Sequence, residues 1–358
     1  MTDDPYQMGN SFLTLFLSPV RVYLEDDGVS EILINGPRDV YVERRGRLER
    51  VDAQFVSEQA LRAAAANIAK SVGRLLDDAN PRLDARLPDG SRVHAVIPPL
   101  SRIGTAIAIR KFSRETLTIE RMMAFGSLDE ATRRLIRALV LLRRNVLVSG
   151  ATSSGKTCVL NVLSGYIPEG ERVLVIEDAS ELQLQQAHVV PMETRPPDKH
   201  GEGEVTVRDL TQSALRLRPD RIVIGEIRGG EALDLIQALN TGHAGSMSTI
   251  HANSPEDALR RLETCALLGG VEIPLRALRA QVVSGVDAVI HTARLSDGSR
   301  KIVAVSEVLP LEDGEYCLRE LQRWRTEAVA ADGTLVGRFE MLERPTFVDQ
   351  AKIYGVEL

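Results

Sequence analysis

Residues 150–157 read GATSSGKT and match the pattern G-x-x-x-x-G-K-[ST]. Glycines let the chain fold closely around an anion, so that backbone N–H groups converge on it. A helix starting at Lys156 would add its positive N-terminal end. In this pattern the lysine reaches the β- and γ-phosphates of ATP and the threonine hydroxyl takes Mg²⁺. The stretch predicts a phosphate-binding loop, the P-loop, made of Gly150, Ala151, Thr152, Ser153, Ser154, Gly155, Lys156 and Thr157.

The surroundings of this stretch agree with that prediction. Residues 145–148 read as an apolar strand, and residues 158–163 read as a helix. Only 6 of the 44 basic residues are Lys, and one of them stands in the P-loop. A compact charge on a flexible stem suits a phosphate contact.

Beyond the P-loop, candidate strands alternate with helix signals, which favours a mainly parallel sheet covered by helices. Thr206 with Asp209, and Ser254 followed by Pro255, predict helix starts. After about residue 295 the sequence predicts a β meander with turns at 297–298 and 313–314. The candidate strands are 145–148, 173–176, 221–224, 245–250 and 286–290.

The first third of the chain has a different pattern, of mixed α+β type. It predicts short strands at 31–36, 39–43 and 106–110, and a helix capped by Ser57 that runs to about Val72. We therefore expect a smaller α+β N-terminal domain over 1–110, a linker over 111–129, and an α/β domain with a C-terminal meander over 130–358.

Composition argues against several classes of protein. The 358 residues carry a net charge of −6 and only 4% aromatic residues, so no stable nucleic-acid partner is expected. Three widely spaced cysteines form neither a metal pattern nor a disulfide framework. No apolar run is long enough to span a bilayer, and the acidic N-terminus does not resemble a signal peptide. These features predict a cytoplasmic protein that reaches a membrane only through a partner or a surface patch.

Polar residues at three strand ends are candidates for catalysis. Glu177, Glu226 and His251 each follow an apolar candidate strand. Taken singly, such a residue is more often a solvated loop residue or a helix cap. Because carboxyl ends of parallel strands meet at one edge of a sheet, their convergence beside the P-loop favours a catalytic role.

Four segments carry a resemblance to a known family: IEDASELQ (176–183), ETRPPDKHGEGEVTVRDL (193–210), LRLRPDRIVIGEIRGGEALD (215–234) and NTGHAGSMSTIHANSPEDALRRLE (240–263). Together with GVSEILINGP and RLPDGSRVHAVIPP nearer the N-terminus, they resemble the ATPases of the type II/type IV secretion superfamily. The resemblance points to the branch that serves Tad-type (Flp) pili, CpaF/TadA, and to the related conjugative and type IV secretion ATPases.

The resemblance implies a RecA-like ATPase domain and a role for each candidate residue. Lys156 and Thr157 would be the Walker A pair. Glu177 would activate water, Glu226 would be the Walker B glutamate near Mg²⁺ or water, and His251 would sense the γ-phosphate.

The resemblance also implies that Arg92 and Arg110, from the N-terminal domain, reach the nucleotide phosphates. Without the resemblance, the sequence around Arg92 and Arg110 would favour the interpretation that both are ordinary surface charges on strands. Ala244 departs from the family pattern, in which an acid often stands at this position. The sequence is also expected to lack the long N-terminal extension of many Tad-pilus relatives.

The function implied is a hexameric motor that hydrolyses ATP at the inner membrane and acts on a platform protein of a pilus or secretion machine. A conjugative DNA-transfer ATPase or nucleic-acid translocase is the second hypothesis. A nucleotide-gated scaffold with little turnover is the third hypothesis. The presence of three candidate catalytic residues, Glu177, Glu226 and His251, argues against it.

Overall fold

The computed structural model describes residues 16–44, 46–112, 117–197 and 201–358. It divides the chain into two compact units, Met1–Glu115 and Thr116–Leu358. A short helix, Ile119–Ala124, occupies part of the stretch expected to be a linker.

The N-terminal unit is an antiparallel sheet with a helix packed on it, as expected for an α+β domain. Within the described residues the sheet has six strands in the order β3-β2-β1-β6-β5-β4. Its elements are a 3-10 turn (Ser18–Val20), α1 (Arg21–Glu25), β1 (Val29–Asn35), β2 (Val40–Arg44), β3 (Arg47–Val51), α2 (Glu58–Ser71), β4 (Arg82–Arg86), β5 (Arg92–Val96) and β6 (Ala106–Arg110).

Helix α2 begins where the sequence predicts, because the Ser57 hydroxyl accepts a hydrogen bond from the Ala60 amide. Its apolar positions recur every three or four residues, so one face is buried. That face, which includes Leu61 and Ile68, joins a core with the inward side chains of the sheet, such as Ile32 and Ile109.

The second unit is an α/β domain whose described residues form a nine-stranded sheet, in the order β15-β14-β13-β12-β7-β11-β10-β8-β9. Strands from β12 to β9 in that order pair in parallel, and β12 to β15 pair antiparallel. The strands are β7 (Val146–Gly150), β8 (Val173–Glu177), β9 (Val189–Glu193), β10 (Arg221–Ile227), β11 (Met247–His251), β12 (Ala288–Arg294), β13 (Arg300–Glu312), β14 (Glu315–Val329) and β15 (Leu335–Met341).

Helices cover both faces of this sheet, because successive residues of its central strands point to opposite sides. Val146 and Val148 lie in one core, whereas Leu147 lies in the other. The helices are α3 (Ile119–Ala124), α4 (Glu130–Leu141), α5 (Lys156–Ser164), α6 (Val207–Ala214), α7 (Glu231–Asn240), α8 (Pro255–Leu267), α9 (Leu275–Gly285) and α10 (Val348–Ile353). The predicted fold class, a smaller α+β domain before a RecA-like domain with a mainly parallel sheet, is confirmed.

Two helix caps lie where the sequence predicts them, whereas one strand ends later than predicted. Thr206 and Asp209 form a capping box at α6, and Ser254 caps α8. Strand β10, however, does not end before Glu226 but continues to Ile227. A register shift against β11 between Ile224 and Ile227 makes room for this extension. Glu226 therefore projects from a bulge, a feature that redirects side chains next to functional sites.

None of the helices among the described residues is long and apolar enough to cross a membrane. The polar segment 195–204 is rich in Gly and Pro, which is typical of a mobile loop, and its residues 198–200 lie outside the described part. Its ends pair, because Arg195 and Val205 form an isolated antiparallel bridge.

Candidate functional site

The P-loop joins β7 to α5 in a backbone conformation that its glycines permit. Gly155 has φ +102° and precedes α5 without a side-chain cap, so the first N–H groups of that helix face outward toward any bound anion. A Cβ atom on Gly150 would lie 2.5 Å from Ser154 Oγ and 2.6 Å from Thr292 Oγ1. Gly150 is thus required by its close packing against β12 as well as by the turn.

The lysine of the P-loop lies under the loop and meets the histidine at the end of β11. Lys156 is 8% exposed, and its Nζ donates to the carbonyls of Gly150 (3.1 Å) and Ala151 (3.0 Å). The same Nζ lies 3.2 Å from His251 Nδ1. Burial and the Lys156 charge both lower the pKa of His251, so the imidazole is neutral near pH 7.

His251 links the lysine to the glutamate of β10. Its Nε2 lies 2.8 Å from Glu226 Oε1, and Nδ1 faces Lys156. In a neutral ring, Nδ1 then accepts from the ammonium and Nε2 carries the proton, in close contact with Glu226 Oε1 but without hydrogen-bond geometry. Lys156, His251 and Glu226, predicted separately from sequence, are therefore brought into one chain of contacts.

An arginine that the sequence reasoning missed holds the other side of Glu226. Arg228 Nη2 donates to Glu226 Oε2 at 2.6 Å, and its Nη1 donates to Asp178 Oδ2 at 3.1 Å. Burial raises the pKa of Glu226, but Arg228, His251 and Lys156 outweigh that effect and hold it below its ordinary value. Glu226 is therefore ionised at neutral pH.

Glu177 occupies a different environment at the end of β8. Its side chain is buried, and Oε1 accepts from the amides of Glu181 (2.9 Å) and Leu182 (3.0 Å). Burial raises the pKa of Glu177 to about 7. Gly225 leaves room for it, because a Cβ there would lie 2.9 Å from Glu177 Cγ. The environments thus push the pKa values of the two glutamates in opposite directions, a pattern that separates acid–base roles in enzymes.

An open cleft of ≈ 560 Å³ adjoins the tip of the P-loop and His251. Two arginines of α8, Arg260 and Arg261, also line it, and neither has an ion-pair partner among the described side chains. The remaining lining residues are Ala151, Thr152, Ala252, Asn253, Asp257 and Thr264. The cleft offers positive charge next to the phosphate-binding loop, together with the single carboxylate of Asp257.

Thr157, the second residue of α5, is partly buried. Among the residues that the structure describes, no three His, Cys, Asp or Glu side chains could hold a metal ion by themselves. Mg²⁺ usually combines one or two protein oxygens with substrate phosphates, and the Thr157 hydroxyl with the ionised Glu226 carboxylate is a donor set of that kind.

Arg92 and Arg110 lie in the N-terminal unit, directly opposite each other on β5 and β6. Arg86 of β4, which sequence reasoning missed, stands opposite Arg92 in the same row. Like charges opposite each other destabilise a sheet. On the other side of Arg110 stands Glu31 of β1, so the row also contains a carboxylate, and a contact of Arg92 or Arg110 with nucleotide remains a prediction.

Comparisons with known proteins agree with these motifs. The family model described as "Type II/IV secretion system protein" matches residues 17–327. A Mycobacterium tuberculosis protein that carries a provisional conjugal-transfer name is 36% identical over 315 residues, which is 86% of this chain and 88% of that protein. The type IV secretion system protein PtlH of Bordetella pertussis is 33% identical over 318 residues, 80% of this chain and 92% of that one.

A solved structure shares the fold. The ATPase DotB of Legionella pneumophila aligns with a TM-score of 0.57 and 20% identity, over 90% of this chain and 82% of that one. The family match covers well over half of the chain and agrees with the motifs around Lys156, Glu226 and His251. This chain belongs to the type II/IV secretion system protein family, the superfamily of ATPases that its sequence resembles.

Proposed function

We propose that this protein is a hexameric ATPase motor that hydrolyses ATP to drive pilus assembly or protein secretion across the bacterial inner membrane. One observation carries the proposal: Lys156, His251 and Glu226 form a continuous chain of contacts at the mouth of a P-loop. The family membership supports the secretion role, since PtlH is named a type IV secretion system protein.

The P-loop residues Gly150–Thr157 would hold the phosphates. Their backbone amides and the end of α5 supply partial positive charge, and the Lys156 ammonium would leave the Gly150 and Ala151 carbonyls for the β- and γ-phosphates. Its neighbour His251 would then lie close enough to respond to the γ-phosphate.

Thr157 and Glu226 would hold Mg²⁺, which neutralises charge that develops on the phosphates during transfer. Glu177, with a pKa of about 7, is suited to take the proton of the attacking water at neutral pH. Glu226, kept ionised by Arg228, His251 and Lys156, is suited to orient that water or the ion.

Two arginines of the N-terminal sheet would take part in the conversion of ATP hydrolysis into motion. Arg92 and Arg110 would reach the phosphates when the N-terminal domain closes on the nucleotide, since a guanidinium neutralises phosphate charge. ATP and ADP would then favour closed and open forms to different extents, which turns hydrolysis into motion. We propose that the motion acts on an inner-membrane platform protein, with the ATPase on the cytoplasmic side.

The experiment is a phosphate-release assay on purified protein with MgATP, paired with a titration of a fluorescent ATP analogue. The wild type should turn over, and Lys156→Ala should lose at least about 100-fold in turnover together with its nucleotide affinity. Lys70→Ala, which removes an exposed lysine of α2, is the matched control and should behave as wild type. A wild-type protein that binds the analogue without releasing phosphate would favour the scaffold hypothesis instead.

A DNA-transfer motor is the second candidate, favoured by the conjugal-transfer name of the Mycobacterium tuberculosis relative. In that case DNA should stimulate ATP hydrolysis, and the stimulation should fall steeply between 50 and 200 mM salt, roughly as the release of counterions predicts. A salt-independent rate, unchanged by DNA, would support the secretion or pilus role.

A further inference from the structure

Two neighbouring side chains of β12, His291 and Thr292, form a buried polar cluster behind the P-loop. Strand β12 runs parallel to β7, with His291 opposite Ser149 and Thr292 opposite Gly150. All of these side chains are almost completely buried, with exposures of 8% for His291, 2% for Thr292 and 0% for Ser149. Buried polar groups need partners, so the cluster holds the start of the P-loop in one arrangement.

Thr292 contacts the P-loop itself. Its hydroxyl donates to the Ser149 carbonyl at 3.2 Å and lies 2.8 Å from Ser154 Oγ, from which it accepts. Thr292 thereby fixes the turn of the P-loop that would surround a phosphate.

His291 has partners on two different segments. Its Nδ1 lies 2.8 Å from Ser149 Oγ, the residue just before the P-loop. On its other side it interacts with the backbone of Asn253, two residues after His251, and this contact raises the pKa of His291. Burial, the largest influence, lowers that pKa, so the ring is neutral. A neutral ring can accept from Ser149 at Nδ1 and donate to the Asn253 carbonyl at Nε2.

We propose that His291 is a positioning residue that ties the P-loop strand to the histidine loop, defined as residues 251–253. The tie holds His251 at its 3.2 Å contact with Lys156. This inference rests on the proposed ATPase activity. His291 contacts Ser149 just before the P-loop, whereas Thr292 contacts the P-loop itself, so loss of His291 should affect the transition state more than nucleotide binding.

Kinetics of matched variants separate positioning from simple structural damage. His291→Ala should lower kcat on the order of 10-fold, while the Kd for a fluorescent ATP analogue stays within about 3-fold of wild type. Thr292→Val, which removes the hydroxyl that contacts Ser154, should instead weaken nucleotide binding. His188→Ala, at the far edge of the sheet on the residue before β9, is the control and should match wild type in both measurements.

Two conservative variants test which contact matters. A glutamine at 291 can place its amide N–H near the position of Nε2, whereas an asparagine reaches only the position of Nδ1. His291→Gln should therefore recover most of kcat, and His291→Asn should resemble His291→Ala. Equal kcat in His291→Ala and wild type, or kcat and affinity that fall together in all His291 variants, would overturn the inference.

A readout that does not need turnover completes the test. Amide hydrogen exchange of the nucleotide-free protein should be faster at residues 252 and 253 in His291→Ala than in wild type, with little change in α9. Unchanged exchange there would overturn the inference even if the wild type hydrolyses no ATP, whereas absent wild-type turnover alone would count only against the proposed function.

Discussion

Replacing Glu177 by Gln should stabilise the protein in a way that depends on pH. Burial raises the pKa of Glu177 from 4.5 to about 7. Between those values the folded protein keeps the proton that the unfolded chain has released, so folding stability falls as pH rises. Gln is neutral at all pH values and can still accept from the Glu181 and Leu182 amides. The variant therefore avoids the cost of burying a charge.

The size of the effect follows from the two pKa values. The full difference of about 2.5 corresponds to about 3.4 kcal/mol at 1.36 kcal/mol for each pKa unit. Between pH 6.0 and pH 8.5, both above the sequence pI of 5.7, roughly 1.4 kcal/mol of it should be expressed. Wild type should lose that amount of unfolding free energy relative to Glu177→Gln over this interval.

Urea unfolding of both proteins at the two pH values, without nucleotide, measures this difference. Glu272→Gln, at an exposed position, is the control and should show no pH-dependent difference from wild type. Glu177→Gln should also be inactive at both pH values if Glu177 activates water. A stability difference between Glu177→Gln and wild type that is the same at pH 6.0 and pH 8.5 would show that Glu177 titrates normally and refute the reasoning.

Three further predictions concern other parts of the second unit. Asn145→Ala removes a buried amide that forms hydrogen bonds with three backbone groups, and should lower the free energy of unfolding in urea by about 2–4 kcal/mol. A decrease of less than about 0.5 kcal/mol would contradict this prediction. Gly150→Ala places a Cβ against Thr292 and should weaken binding of a fluorescent ATP analogue by more than about 10-fold, with unchanged affinity as the contrary result. Arg228→Ala removes a group that lowers the pKa of Glu226, so the acidic limb of the pH–rate profile should move to higher pH. An acidic limb at the same pH in variant and wild type would contradict this role of Arg228.

Local signals explain what the sequence could predict. The P-loop, the Ser57 and Ser254 caps and the capping box at Thr206 are each encoded within a few residues, and each lies where expected. The apolar strands were also located to within a few residues, since their side chains are buried on both faces. Strand-end convergence then placed Lys156 and His251 correctly relative to one another.

Features that depend on pairing between distant segments could not be predicted from local sequence signals. The bulge that orients Glu226 exists only through the register of β10 against β11. The contact of His291 with Ser149 joins residues 142 positions apart, and no local pattern marks it. The row formed by Arg86 and its neighbours likewise follows from hairpin register. Arg228 was present in a quoted motif, but its bridge from Glu226 to Asp178 required coordinates.

The most direct test of the central claim, that the P-loop site binds ATP and breaks it down, is the identity of the nucleotide bound to Glu226→Gln. After a short incubation with MgATP and rapid removal of free nucleotide, the acid-quenched variant should contain ATP, whereas wild type and Glu272→Gln should contain ADP. ADP in all three proteins would contradict the role of Glu226, and ATP retained unchanged by wild type would contradict hydrolysis itself.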